Sequence, residues 1–140
     1  MNTYRGQCYC GSVKLRLETD KLASQLGARA CQCDFCRLHG ASWTSDRAGR
    51  LFVEIEGPTN RFRMGTHSAE FLICATCGVP TAVIWHPQDG PLLAVLRVEC
   101  MEVRPELAAH QVETDFEAET LGERLARRRR NWTPASVSGP

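Results

Sequence analysis

From Ser12 to Glu18 the chain alternates, with Val13, Leu15 and Leu17 set between Ser12, Lys14, Arg16 and Glu18. A period of two is that of a strand with one face in a core. The texture returns at Leu51–Glu56, stopped by Gly57-Pro58, and at Asn60–Met64, stopped by Gly65. Thr81–Trp85 is an apolar run rich in β-formers. Leu92–Val103 is the longest mostly apolar run and reads as a central strand that includes Leu96, Val98 and Cys100. Ala41–Thr44 reads as a strand fragment, and Glu70–Ile73 leads into a cysteine-bearing turn. Thr19–Gly27 is a mixed connection with room for a helical turn. Thr120–Arg130 has the composition of a helix, with Leu121 and Leu125 at i, i+4 and Gly122 weakening it. Beyond it, residues 133–140 are rich in Pro, Ser and Gly and are expected to form a loose tail. Short strands separated by turns predict a mainly β domain over residues 1–132 with a short C-terminal helix.

Composition narrows the class. A chain of 140 residues suits one domain and can bury a real core, so metal is not needed merely for compactness. Hydrophobic residues at 43% and charged residues at 24% are ordinary for a soluble globular protein. A net charge of +1 gives no global attraction to nucleic acid or membrane. The run Arg127–Arg130 reads as a solvated helix end, where cations suit the dipole, and not as a nucleic-acid site. No apolar run approaches the roughly 20 residues of a membrane span, and Met1–Arg5 does not resemble a secretory signal. A cytoplasmic protein with reduced thiols is expected.

Eight cysteines in such a chain need an explanation other than a disulfide scaffold. Their close spacings favour metal. Cys8-x-Cys10 and Cys74-x-x-Cys77 are each followed at once by glycine, Gly11 and Gly78. A metal-binding knuckle aims backbone amides at thiolates through a turn that tends to demand φ > 0, which glycine tolerates. Each pair gives two ligands, and two knuckles together give the four of a structural zinc. Iron on the same thiolates is a minor alternative. Between them, Cys31-x-Cys33-x-x-Cys36 offers three thiolates, the pattern of a zinc site with an open position. His39, Cys100, water or a substrate sulfur are candidates for the fourth place, with Cys100 better suited to the core. His39 could also line the site as a proton donor. Arg37 could meet the carboxylate of an anionic substrate.

The ordered motifs Gly6-x-Cys8-x-Cys10-Gly11-x-Val13, Cys31-x-Cys33-x-x-Cys36-Arg37-x-His39-Gly40 and Phe71-x-x-Cys74-x-x-Cys77-Gly78 resemble the glutathione-dependent formaldehyde-activating enzyme family from about Tyr4 to Val103. The resemblance implies a β-tent, an assembly of small antiparallel sheets built around zinc. It implies a structural zinc on Cys8, Cys10, Cys74 and Cys77 and a second, labile zinc on Cys31, Cys33 and Cys36. The implied activity is that of an S-(hydroxymethyl)glutathione synthase, a carbon–sulfur lyase that joins glutathione, or another thiol, to formaldehyde or a small aldehyde. Because related β-tent proteins act as binding modules, a non-catalytic zinc module that binds a thiol ligand or a protein is the alternative. A homo-oligomer is left open, and the segment after Pro105 carries no chemistry in this reading.

Overall fold

Val13, Leu15 and Leu17 do lie on one face of a strand, β2 (Val13–Thr19), and all three are almost completely buried. The computed structural model describes residues 1–139. Strand β1 (Asn2–Gln7) pairs antiparallel with β2, and β2 pairs antiparallel with β5 (Arg50–Ile55), which places Leu15 opposite Val53 and Leu17 opposite Leu51. A short helix α1 (Ala23–Leu26), β3 (Ala28–Cys31), helix α2 (Asp34–His39) and the two-residue β4 (Trp43–Thr44) fill the connection between β2 and β5. Strands β6 (Thr59–Phe62), β7 (Glu70–Cys74), β8 (Pro80–Trp85) and β9 (Leu93–Arg97) follow as an antiparallel meander.

The pair β8 and β9 is buried on both faces. Its register sets Ala82 opposite Leu96 and Ile84 opposite Ala94 on one side, and Val83 opposite Val95 and Trp85 opposite Leu93 on the other. The first side faces a core with Val13, Leu15, Leu17, Leu51 and Leu72. The second faces an aromatic-rich core with Trp43, Phe71 and Trp132. Strand alternation across one hairpin therefore separates two hydrophobic cores. Cys8 and Cys74 belong to the first core, and Cys36 belongs to the second.

The long apolar run does not continue as a strand. It leaves β9 at Arg97 and passes through a 3₁₀ turn at Val98–Cys100 into helix α3 (Arg104–Ala108), which has Pro105 in its first turn. Proline fits there because its missing N–H would be unpaired anyway. Strand β10 (Gln111–Thr114) then runs parallel to β3 and sets Thr114 beside Cys31. Helix α4 (Leu121–Asn131) opens with a capping box, in which the Thr120 hydroxyl accepts from the Glu123 N–H and the Glu123 carboxylate accepts from the Thr120 N–H.

The loose tail expected from residue 133 is not what the structure shows for residues 133–138. They form β11 (Thr133–Ser138), parallel to β5 over Ala135–Ser138 and antiparallel to β9 at Thr133 and Pro134. The composition concealed a short alternation, in which Ala135 and Val137 pack on the first core and Thr133 is fully buried. β11 thus joins the β1-β2-β5 layer to the meander, giving an open, mainly β sheet of 11 strands. Pro140 lies outside the described residues.

Candidate metal centres and an adjoining cavity

The two glycine-terminated knuckles are closed by the same outer hydrogen bond, from the first cysteine to the residue five positions on. The Cys8 N–H donates to the Val13 carbonyl and the Cys74 N–H to the Val79 carbonyl, each at 3.0 Å. The Gly11 and Gly78 N–H groups donate back to the carbonyls of Cys8 and Cys74. Gly11 has φ 83° and Gly78 has φ 79°, the left-handed backbone that the sequence reading required of both. The Val13 N–H points at Cys8 Sγ from 3.3 Å.

These turns bring four sulfurs together. Cys8 Sγ lies 3.7 Å from Cys10 Sγ, and Cys10 Sγ lies 3.6 Å from Cys74 Sγ. Cys77 completes the group, with all four sulfurs within 4.8 Å of one another. A tetrahedral ion with sulfur ligands at about 2.3 Å requires edges of about 3.8 Å, which the 3.7 and 3.6 Å separations match, so the cluster could hold a zinc ion. Ser12, which the sequence reading did not single out, places its hydroxyl 3.1 Å from Cys74 Sγ and 3.3 Å from Cys10 Sγ. Burial alone would raise the Cys74 thiol, but the Ser12 hydroxyl and the amides of Cys77 and Thr76 bring it down to about 6. The Ser12 hydroxyl also lowers the Cys10 thiol, whereas burial raises that of Cys8, so Cys10 and Cys74 are the members drawn toward thiolate, the form that binds metal. Ser12 was findable only as the residue that follows Cys10-Gly11.

The second cluster is built by the step from β3 to α2. Cys31 ends β3, Cys33 is the N-cap of α2, and Cys36 sits in the first helical turn, 2% exposed. The Cys36 N–H donates to Cys33 Sγ at 3.4 Å. The three sulfurs lie within 4.8 Å of one another, and among the described residues no fourth histidine, cysteine or carboxylate joins them. Hydrogen bonding from Cys36 draws the Cys31 thiol down to about 6 against the effect of burial, with the Cys33 amide and the charge of Arg127 assisting. Cys36 moves up because it donates to Cys31 and is buried, and Cys33 moves up chiefly through burial. Within the trio Cys31 is therefore the group drawn toward thiolate. Three soft sulfurs so placed could hold a zinc ion, leaving a position for a further ligand.

His39 and Arg37 lie elsewhere. Both are exposed at the end of α2, and neither lines the cavity described below. The His39 ring rests on Phe35 one turn back, with centroids 4.6 Å apart, so that an i, i+4 aromatic contact takes the place of an inward turn toward Cys36. Cys100 sits in the 3₁₀ turn and packs against the first core, where burial pushes its thiol up to about 12. It joins neither sulfur cluster.

The trio opens onto a cavity of about 420 Å³, within the range usual for small-molecule sites. Trp43, Phe71 and Trp132 form an aromatic wall. Arg29 of β3 and Arg124, Arg127 and Arg128 of α4 form a cationic one. The sequence reading placed Arg127 and Arg128 at a solvated helix end and did not single out Arg29 or Arg124. Their signal was the spacing of Arg124, Arg127 and Arg128 at i, i+3 and i+4, one face of a helix, a face that also carries the partly buried Leu125.

The glutathione-dependent formaldehyde-activating enzyme family model matches residues 3–117. A crystal structure of a Rhodobacter sphaeroides protein is similar, with 30% sequence identity and a TM-score of 0.53, over 71% of this chain and 88% of that one. No curated protein matches the chain. The matched segment contains all three cysteine motifs, and the fold gathers them into the two clusters. The chain belongs to the glutathione-dependent formaldehyde-activating enzyme family.

Proposed function

We propose that the Cys31, Cys33 and Cys36 centre serves the addition of a thiol, such as glutathione, to formaldehyde or another small aldehyde, a reaction of the carbon–sulfur lyase class. One observation carries this reading: the cluster with three sulfurs is the one that lines a cavity, while the cluster with four has its own complement of ligands. In the reaction the thiol loses its proton, a sulfur–carbon bond forms, the carbonyl π bond opens onto oxygen, and a proton from water completes the S-hydroxymethyl product. A zinc ion held by Cys31, Cys33 and Cys36 would stabilise thiolate and polarise carbonyl oxygen.

The protein's own residues bind and orient. Trp43, Phe71 and Trp132 exclude water from one side of the cavity and give apolar stems a surface. Arg29, Arg124, Arg127 and Arg128, which line the same cavity, supply planar, permanently charged donors for a carboxylate. Thiol addition to formaldehyde is already easy in water, so holding the two reactants together is most of what the site must do. In the four-sulfur cluster a zinc ion would be structural, closing a long loop between the ends of β1 and β7.

Exchange spectroscopy of formaldehyde and glutathione by NMR tests the reaction. The wild-type protein should accelerate exchange above the uncatalysed rate, and Cys33→Ser should return it to that rate. Equal rates with both proteins contradict the proposal. A non-catalytic module that retains a thiol ligand is the second reading. It is favoured by one feature: among the described residues no histidine lines the cavity to serve as a proton donor. Tight thiol binding with no acceleration would select it.

A further inference from the structure

The residues matched by the family end at 117, and helix α4 begins at Leu121. One wall of the cavity beside the trio is therefore supplied by a part of the chain outside the family match. That wall carries Arg124, Arg127 and Arg128, and Arg29 joins them from β3.

These cations are not equally satisfied. Arg124 and Arg127 both pair with Glu119, Arg127 through two hydrogen bonds at 2.8 and 3.0 Å, and the Arg127 guanidinium also stacks 3.6 Å above the Phe116 ring. Arg128 is only 6% exposed, donates from Nη1 to Ser68 Oγ at 2.8 Å, and has its Nε buried without a partner. Arg29 donates from Nη2 to Ser45 Oγ at 2.7 Å. Among the described residues neither Arg29 nor Arg128 has a carboxylate partner. The acidic residues that line the cavity, Asp34, Asp115 and Glu117, are all exposed, whereas Arg29, Arg124 and Arg127 are half-buried and Arg128 is buried.

A buried cation without a counter-charge is destabilising. Burial, together with repulsion from Arg127 and Arg124, presses the Arg128 guanidinium down to about 10. The arrangement is that of a site whose neutralising charge comes from a ligand.

We infer that Arg29 and the α4 arginines form an anion subsite beside the cysteine trio, which selects a carboxylate-bearing thiol over a neutral one. The inference deepens the function proposed above and rests on it for the thiol. It makes α4 a specificity element of this chain, and it identifies Arg29 and Arg128 as the residues left for the ligand once Glu119 has engaged Arg124 and Arg127.

S-methylglutathione keeps both carboxylates but has no free thiol, so it reports binding without reaction. Trp43 and Trp132 line the cavity, and their fluorescence can follow a titration of the protein as isolated. Saturable binding is expected. It should weaken by about tenfold or more when the carboxylates are masked as a diester, and by about tenfold in Arg29→Gln, since charge-assisted bonds are lost in each case. Arg128→Lys should bind more tightly than Arg128→Gln; the diester and Arg29→Gln arms stand even if Arg128 variants fold poorly. Diester and diacid binding alike, an unchanged Arg29→Gln, or no saturable binding by the wild type would overturn the inference. Charge-dependent binding without aldehyde exchange would remove the reaction and leave the subsite standing. Aldehyde exchange as fast with glutathione diester as with glutathione, and unchanged in Arg29→Gln, would do the reverse.

Discussion

The sulfur of Cys10 lies 3.6 Å from the sulfur of Cys74, although 64 positions separate them in the chain. The contact joins the end of β1 to the end of β7, and neither knuckle alone has enough ligands for a metal. Its stability is therefore expected to depend on an ion. Cys74→Ser, or removal of metal with a strong chelator, should cost about 3–5 kcal/mol, a fall of about 10–15 °C in Tm. A thermal melt with and without chelator is the check. The hydrophobic core on β2 and β5 should keep part of the fold, so unfolding need not be complete.

Helix α2, which carries Cys36, is held in place from below by Arg97. This buried side chain donates to the His39 carbonyl at 2.9 Å, to the Pro80 carbonyl at 3.3 Å and to the Glu99 carboxylate at 2.9 Å. Arg97→Met leaves the last α2 carbonyl and Glu99 without this donor and should cost about 2–4 kcal/mol in urea unfolding. Arg97 touches none of the trio's sulfurs, so a role in positioning predicts a further effect. Metal affinity at the trio should fall by about tenfold to a hundredfold, as for other residues that orient ligands, in a competition with a coloured chelator.

Strand β11 should be indispensable. Deleting residues 133–140 removes the element that pairs with both β5 and β9, and the truncated chain should give no cooperative unfolding transition. A gentler probe is Gly139, at φ 103°, where an added Cβ would run into the Ile55 carbonyl. Gly139→Ala should cost about 1–3 kcal/mol, through both the backbone conformation and the clash.

Asp46 gives the fold an acid-sensitive joint. Its carboxylate accepts from Thr19 Oγ1 at 2.6 Å and from the Ala48 N–H at 3.1 Å, with Lys21 Nζ 3.6 Å away. Its own N–H donates to Thr133 Oγ1 at 2.7 Å. Burial would raise this carboxyl, but the Thr19 and Ala48 bonds and the Lys21 charge hold it below the usual carboxylate range. A folded value below the unfolded one means that the contribution is complete above about pH 4 and is lost as the pH falls through the folded value. Asp46→Asn should be about 1–2 kcal/mol less stable at pH 7, and the gap should narrow in urea titrations at pH 3.

Much of this organisation was legible in the sequence because it depends on local pattern. Val13, Leu15 and Leu17 alternate in sequence and in space, and Gly11 and Gly78 have the positive φ their turns demanded. The spacing of the cysteines anticipated two separate clusters. What escaped depends on long-range placement. Thr133–Ser138 is a strand through its pairing with β5 and β9, both far from it in sequence. Arg128 looks like a surface residue until α4 folds back over Trp85 and Trp132, where its guanidinium lies 5.7 and 4.9 Å from the two rings. His39 stands three residues beyond Cys36, a spacing that suits a ligand, but its ring rests on Phe35 and does not line the cavity.

The central claim is that one sulfur cluster is closed and structural while the other is open and reactive. Counting zinc per chain before and after treatment with a weak chelator, for the wild type and Cys33→Ser, tests it most directly. Two ions in the wild type are predicted, one released readily and one retained, with Cys33→Ser holding only the retained ion at a nearly unchanged Tm. Two equally tight ions in the wild type, or two ions in Cys33→Ser, would contradict the account.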